Sequence, residues 1–291
     1  MTRRNNLERT GAPHIDSAPM AETHNTETPE LDPLSFIVPT EFVTLPSRGA
    51  YYPETHPLHG EESLEIKYMT AKEEDLLTSK GLLEKGLVLD RLIDSLLVNK
   101  KIRSRDLLTS DRNAILVQAR ISGYGSDYAT TIVCSSCGEG DKYHYDLQEA
   151  EVKDPRNSED LQDAGVEHLE GATFKVTVPN SPVHLNVRLL NGHDERAILD
   201  SQRQRRKKKQ EDRLVTDQLN SMIVSVMDHT DRQIIGKYVD SLPLHESRYL
   251  RKTYEEIAPS ITLRKEFVCN HCGYEDEITF PFTTDFFWPD V

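Results

Sequence analysis

The sequence contains no apolar run long enough to cross a bilayer and no signal-peptide pattern at its N-terminus. Hydrophobic residues make up 36% of the 291 residues, and the mean hydropathy is −0.59. These absences argue against an integral membrane protein and give no reason to expect secretion. The chain is nevertheless long enough to bury a sizeable core, in one large domain or two ordinary ones. We therefore expect a soluble protein.

Basic residues are also fewer than acidic ones. The chain has 35 lysine and arginine residues against 49 aspartate and glutamate residues, which gives a formal net charge of −14. Since nucleic-acid phosphates repel an acidic surface, nucleic acid is an unlikely general partner. The one strongly basic run, 203–210 (RQRRKKKQ), lacks interleaved aromatic residues that would stack on bases. We interpret it as a solvated connection between helices, with nucleic acid or an acidic partner as the alternative.

The familiar catalytic motifs are missing as well. There is no G-x-x-x-x-G-K-[ST] phosphate loop, no nucleophile elbow and no H-E-x-x-H motif. Glu73, Glu74 and Asp75 are adjacent in sequence, so they would point in different directions from a helix and make a poor acid–base pair. His193 lies in a polar stretch that is typical of a helix start. The sequence therefore indicates a protein that is not an enzyme.

Cysteine is scarce but regularly placed. The chain has only four cysteines, in two C-x-x-C pairs: Cys134, Cys137, Cys269 and Cys272. Each pair supplies two thiolates, and a closed structural zinc site needs four ligands. We predict one structural Zn²⁺ held by both pairs, which leaves no open position for catalysis. Two redox pairs or inert thiols are the alternative.

The residues around each pair favour a metal site. Gly138 and Gly273 follow the second cysteine of each pair and ease the tight turn that directs two sulfurs at one metal. We call each C-x-x-C turn a knuckle. His271 lies between two cysteines and offers an alternative ligand, although we interpret it as a solvent-facing residue.

The two halves of the sequence resemble each other. IVCSSCGEGDKYHYDL and FVCNHCGYEDEITFPF share the cysteines, an aligned aspartate and alternating apolar positions. Upstream, LVLDRLIDSLLV from Leu87 parallels LVTDQLNSMIVS from Leu214, and both have the apolar spacing of an amphipathic helix. We predict an α+β fold with an internally duplicated helical body. Two zinc-ribbon-like β-hairpins would meet at one four-cysteine site, close to a pseudo-two-fold axis.

This duplication sets the predicted organisation of the chain. We divide it into a disordered N-terminal arm (1–33), an extended strap (34–60), a first repeat (61–150), an acidic linker (151–172) and a second repeat (173–291).

Several local patterns predict helices. Thr70 and Glu73 form a capping box that starts a short helix. Longer helices are predicted at 81–98, 110–121 and 213–227.

Three stretches carry a resemblance to a known family: LPSRGAYYP, LEIKYMTAKEEDLLTS, and LLVNKKIRSRDLLTSDRNAILVQARISGYGSDY, which leads into CSSCG. In these motifs the chain resembles the baseplate hub subunit family of T-even-like contractile-tailed bacteriophages. The resemblance is good over 45–150, looser over 183–282 and absent from the N-terminal arm. The cysteine pairs belong to its longer members, so the zinc prediction rests on the spacing in this chain.

The resemblance implies a virus-encoded protein that builds the central hub of the tail baseplate through protein–protein interfaces. Its expected location is the virion tail baseplate, or the host cytoplasm during assembly. Its expected partners are other hub or tail proteins, and oligomer formation is left open. Residues considered for partner contact are Arg112, Tyr124, Phe286, Phe287 and Trp288. Arg112 pairing with a nearby carboxylate, and core packing of the C-terminal aromatics, are the alternatives.

Two rival functions remain open on the sequence alone. The first is a transient chaperone for hub or tape-measure proteins. The second is a zinc-ribbon nucleic-acid-binding protein that uses 203–209.

Overall fold

Amphipathic helices packed against short antiparallel hairpins organise the chain. The computed structural model describes residues 38–154, 161, 165–179, 181–279 and 284–287. The predicted arm (1–33), the first residues of the strap and Trp288 lie outside the described residues. The described residues from Val38 onward belong to one compact unit.

The first four helices are α1 (Ala71–Thr78), α2 (Lys80–Lys85), α3 (Val88–Leu96) and α4 (Thr109–Tyr124). The predicted capping box at α1 is present, since the Thr70 amide donates to the Glu73 carboxylate at 3.0 Å. Gly86 ends α2 in a left-handed conformation with φ 57°, where a side chain would be strained. The predicted single helix 81–98 is therefore two helices.

The later helices are α5 (Gly192–Lys207), α6 (Leu214–Met222), α7 (Arg232–Ser241) and α8 (Leu244–Ile257). A second capping box starts α5, where Asn191 accepts from the Asp194 amide and the Asp194 side chain accepts from the Asn191 amide. The predicted helix 213–227 ends at Met222, and its last residues form a strand instead.

Short strands form five antiparallel sheets among the described residues. The strands are β1 (Thr40–Thr44), β2 (Ser63–Lys67), β3 (Asp127–Val133), β4 (Gly140–Asp146), β5 (Glu151–Lys153), β6 (Val166–His168), β7 (Thr173–Thr177), β8 (His184–Arg188), β9 (Ile223–Val226), β10 (Ser260–Thr262), β11 (Arg264–Val268) and β12 (Glu275–Thr279). The two-stranded sheets are β1–β2, β3–β4, β5–β10 and β11–β12, and the larger sheet has the order β6–β7–β8–β9. The predicted α+β class is confirmed at this level.

Helix α4 lies at the centre of the main hydrophobic core. Four consecutive residues, 114–117, are all buried, so the helix is covered on every side. Helix α3 contributes an apolar stripe in which Leu92 and Leu96 are fully buried. The first hairpin and the four-stranded sheet add Ile66 and Phe174 to the same core. This core joins the early and late parts of the chain.

Tertiary pairing explains where the elements differ from the sequence-based prediction. Residues 223–226 pair with β8 as strand β9, and three of the four are β-branched. The predicted irregular linker 151–172 contains β5 and β6, because β5 finds a distant partner in β10 and β6 pairs with β7.

Two hairpins far apart in sequence have the same register. TEFVTLP from Thr40 and TFKVTVP from Thr173 share four identities. Val43 pairs with Leu64 in the first hairpin, and their counterparts Val176 and Leu185 pair in the second. The connection between the strands is long in the first hairpin (45–62) and short in the second (178–183).

Candidate metal centre

The four cysteines lie at the tips of two β-hairpins. The first knuckle connects β3 to β4, and the second connects β11 to β12. The strands that enter each knuckle end at exposed valines, Val133 and Val268. Cys134 and Cys269, the first cysteine of each pair, are buried, whereas the second cysteines are exposed.

Both knuckles have the same backbone geometry. The Cys134 amide donates to the Glu139 carbonyl at 2.8 Å, and the Gly138 amide donates to the Cys134 carbonyl at 2.9 Å. In the second knuckle, Cys269 and Gly273 make the equivalent bonds at 2.8 and 2.9 Å. The two glycines adopt φ values of 78° and 71°, the left-handed region that favours glycine.

The fold brings the two pairs together. The Sγ atoms of Cys134 and Cys272 are 3.7 Å apart, as are those of Cys137 and Cys269. All four sulfurs lie within 4.8 Å of one another. A tetrahedron with metal–sulfur bonds of about 2.3 Å has edges of about 3.8 Å. The geometry and the donor set therefore fit one tetrahedral metal ion.

A small apolar cluster supports the site on its inner side. Phe267 is buried with Cys134 and Cys269 and packs against the Tyr143 ring, with 5.0 Å between the centroids. The Tyr143 hydroxyl donates to the Val268 carbonyl at 2.6 Å and so joins the two hairpins. The backbone amides of Cys137 and Ser136 lower the pKa of the Cys134 thiol, whereas burial and the neighbouring cysteines raise the pKa of the Cys137 thiol, so the first cysteine of this coupled group ionises before the second.

His271 contacts the other hairpin and does not belong to the sulfur cluster. Its exposed ring places Nε2 3.3 Å from an Asp141 carboxylate oxygen on the other hairpin. Asn270 donates to the other oxygen of Asp141 at 3.2 Å. The second knuckle therefore contacts the first hairpin through Asp141. Among the described residues, the group that could hold a metal ion consists of the four cysteines alone.

A buried carboxylate lies where the strap meets α4. Asp111 is fully buried and accepts hydrogen bonds from the Ser47 amide at 3.0 Å, the Ser47 hydroxyl at 2.7 Å and the Tyr52 hydroxyl at 2.7 Å. Tyr52 in turn accepts from the Leu108 amide at 3.0 Å. The sequence alone did not indicate this network, because Ser47 and Tyr52 are 64 and 59 residues away from Asp111 in the chain.

Arg112 has internal partners. Its side chain donates to Asp90 at 2.8 Å, to Glu195 at 3.0 Å and to the Ser104 carbonyl at 2.6 Å. Only 4% of the residue is exposed. Arg112 is thus paired with carboxylates of its own chain, which was the alternative to partner contact stated above.

The C-terminal aromatics also pack internally. Phe286 and Phe287 are fully buried, and Phe286 contacts Tyr128 with 5.0 Å between the ring centroids. The buried Arg120 donates to the Phe286 carbonyl at 3.1 Å and lies 5.4 Å from the centre of the half-buried Tyr124 ring. Of the residues considered for partner contact, Tyr124 thus retains partial exposure, and Trp288 lies outside the described residues.

Comparison with known protein families decides the identity of the chain. A family model described as T4 bacteriophage base plate protein matches residues 50–288, which includes the last part of the strap, both knuckles and the helices described above. The chain belongs to this family. Comparisons with curated proteins and with solved structures found no match.

Membership of the base plate family gives the site its context. A base plate protein is a structural part of a bacteriophage tail, so the family indicates a virion location and a non-enzymatic role. Among the residues that the structure describes, no helix is both long and apolar enough to cross a membrane.

In this base plate protein, the basic run on α5 is partly used inside the fold. Arg203 donates to the Lys85 carbonyl at the end of α2, and Arg196 donates to the same carbonyl at 2.7 Å. Arg205 pairs with Asp217 at 3.3 Å. Residues 207–209 are exposed lysines. These contacts favour a structural connection over a dedicated phosphate-binding surface.

Replacing Arg203 with alanine is expected to destabilise the protein by about 1 kcal/mol, because the carbonyls at the C-terminus of α2 lose a cationic partner. The matched change Lys208→Ala should alter the free energy of unfolding by less than about 0.5 kcal/mol. Urea unfolding of both variants checks this difference. Equal effects would contradict the assignment of Arg203 to the α2 terminus.

Proposed function

We propose that this base plate protein is a structural or assembly component of the baseplate hub that acts through protein–protein interfaces. The observation that carries the proposal is the meeting of two cysteine pairs more than 130 residues apart in sequence, with Sγ–Sγ distances of 3.7 Å. Such a closed site fixes the hairpin that ends the first half and the hairpin that ends the second half relative to each other. A fixed, rigid surface suits a component that several tail proteins must recognise.

We assign Zn²⁺ to the four-cysteine site. Soft thiolates in a tetrahedral arrangement favour zinc among the common divalent ions. Four protein ligands leave no position for water or substrate, so the ion would have a structural role. Exposure of Cys137 and Cys272 gives the ion a route of entry.

We further infer that the chain arose by internal duplication. The equivalent hairpins β1–β2 and β7–β8 each lead, three residues after the second strand, into a capping box, at Thr70 and at Asn191. In each half an amphipathic helix follows later, α3 in the first half and α6 in the second. The residue directly after that helix pairs with the second strand of the hairpin: Leu97 forms a bridge with Ile66, and Ile223 pairs with Val187. Each half then ends in a cysteine hairpin. This shared order supports one ancestral unit used twice.

Quantitative mass spectrometry of gradient-purified virions beside the lysate tests the hub proposal. A fixed ratio of this chain to known tail proteins in the particles is the expected result. Presence in the lysate together with absence from the particles would contradict a hub component and indicate the transient chaperone instead. Complementation with a Cys269→Ser variant, measured in the same way, tests whether the metal site is required for incorporation.

A further inference from the structure

The outer edge of strand β1 has no strand partner among the described residues. The Tyr68 amide donates to the Pro39 carbonyl, and the Leu45 amide donates to the Glu62 carbonyl. Every second residue between Pro39 and Leu45 therefore directs its backbone groups toward β2. In an antiparallel ladder the alternate residues direct both backbone groups to the other side. Thr40, Phe42 and Thr44 therefore present their amides and carbonyls to the open edge.

The equivalent edge in the second hairpin is covered. Strand β7 pairs with β8 in the same register as β1 with β2, and β6 then adds to the outer side of β7. Leu169 donates to the Thr173 carbonyl at 3.0 Å, on the edge that corresponds to the open side of β1. The same structural unit thus accepts a third, antiparallel strand at this position.

The turn that supplies β6 does not suit the first hairpin. Gly171 adopts φ 53° in the turn between β6 and β7. The aligned residue before β1 is Val38, which is β-branched and is not among the described residues with positive φ. A β-branched residue is strained in the left-handed region. A turn of the β6–β7 type is therefore disfavoured just before β1, and a strand that pairs with the open edge of β1 is not expected to come from such a turn.

Strand β1 is exposed and complementary to itself. Phe42 is 70% exposed, one of the most exposed large apolar side chains in the described structure. The segment TEFVT is symmetric about Phe42 at its outward positions, with threonine on either side. Antiparallel self-pairing would place threonine opposite threonine and phenylalanine opposite phenylalanine, and both pairs are favourable across strands. Glu41 would lie opposite valine, so no like charges meet.

We propose that the outer edge of β1 pairs with the same edge of a second copy, about a two-fold axis at Phe42. Thr40 then faces Thr44 of the partner subunit, and the two short sheets become one continuous sheet. This surface is distinct from the metal centre and does not depend on the proposed hub role. Such a short strand buries little area, so we expect a reversible, concentration-dependent dimer.

The net charge of the chain predicts a salt dependence for this contact. Each copy carries a formal net charge of −14, so two copies repel at long range. Salt screens this repulsion, with a Debye length of about 30 Å at 0.01 M and about 10 Å at 0.1 M. A dimer held by backbone hydrogen bonds and a phenylalanine pair should therefore strengthen as salt rises over this range.

Sedimentation velocity of the full chain tests the proposal. We expect a monomer–dimer equilibrium whose dissociation constant rises at least about tenfold in Phe42→Lys, because two lysines would meet at the axis. Thr44→Pro should weaken the dimer similarly. It removes an outward amide that makes no bond to β2, so far-UV circular dichroism should be unchanged. Leu244→Lys, at a residue that is 72% exposed on α8, is the matched control and should dimerise normally.

Cysteine cross-linking provides a second readout of the axis. Opposed residues in such a pair have Cα atoms about 5.5 Å apart, which suits a disulfide. Phe42→Cys should give an oxidised dimer in high yield, and Leu244→Cys should not. A wild-type chain that stays monomeric, even if β1 then binds another tail protein, would overturn the proposal. A dimer that neither β1 variant weakens would overturn it as well.

Discussion

Replacing Cys269 with serine is expected to abolish tight metal binding and to release the two cysteine hairpins from each other. The Cys269 sulfur is buried and lies 3.7 Å from the Cys137 sulfur, so its loss removes one vertex of a closed site. Structural zinc supplies about 10–16 kcal/mol to isolated zinc-finger peptides. Here we expect a local loss of at least about 3 kcal/mol, seen as faster amide hydrogen exchange in β3, β4, β11 and β12.

The effect should remain local for a structural reason. Cys134, Cys269 and Phe267 form a small buried cluster of their own, which contacts the main core only through the partly buried Ile132 and Ile278 among the described residues. The early and late parts of the chain are also joined without metal, because β5 pairs with β10 and Arg120 bonds to the Phe286 carbonyl. Loss of metal should disturb the hairpins and leave the main core folded.

Metal content, cobalt absorption and hydrogen exchange measure this outcome together. His271→Ala is the matched control, because His271 occupies the same knuckle but bonds to Asp141. The control should keep one metal ion per chain. If Cys269→Ser retained stoichiometric metal and normal exchange in the hairpins, the four-cysteine assignment would be wrong.

The cysteine site could be predicted from sequence because its determinants are local. Two C-x-x-C pairs, each followed by glycine, specify two similar turns, and four thiolates in a chain without others leave few ways to complete a tetrahedral site. The capping box at Thr70 and the helices with a clear apolar stripe were predictable for the same reason. Each turn and each cap is determined by residues within a few positions of one another, whereas the meeting of the two distant cysteine pairs followed from the need for four ligands.

The features that sequence reasoning missed depend on distant partners. Residues 223–226 follow an amphipathic pattern and became a strand only because β8 offers an unpaired edge. For Arg112 the sequence allowed both partner contact and pairing with a nearby carboxylate, but it could not identify the carboxylates, because Asp90 and Glu195 come from other helices. The match between TEFVTLP and TFKVTVP is a further sequence signal for the proposed duplication, but it is weak because the strands are short.

Replacing Asp111 with alanine is expected to cost at least about 3 kcal/mol of stability. Three hydrogen bonds from Ser47 and Tyr52 end on this carboxylate, and all three residues are buried. Removing the acceptor leaves those donors unsatisfied, at about 1–3 kcal/mol for each group that cannot reach water. Tyr52→Phe should cost less, because the Ser47 bonds remain. Asp75→Ala, at an exposed residue of α1, is the control and should cost less than about 0.5 kcal/mol.

The pH dependence of the Asp111 effect has a definite sign. Burial raises the pKa of Asp111, and the hydrogen bonds from Ser47 and Tyr52 oppose that rise only in part. The folded protein therefore keeps the Asp111 proton at pH values where the unfolded chain has lost it. Stability from this group is greatest below the unfolded pKa of about 4 and falls as pH rises through the folded pKa.

Urea unfolding from pH 4 to 8 measures this dependence. The neutral variant Asp111→Asn lacks the titration, so the difference in unfolding free energy between wild type and variant isolates this one group. That difference should shift in favour of the variant as pH rises, and the Asp75→Ala difference should stay flat. A constant Asp111→Asn difference across the range would mean that the carboxyl group titrates alike in the folded and unfolded chains. In that case, hydrogen bonding from the strap would offset the cost of burying the charge.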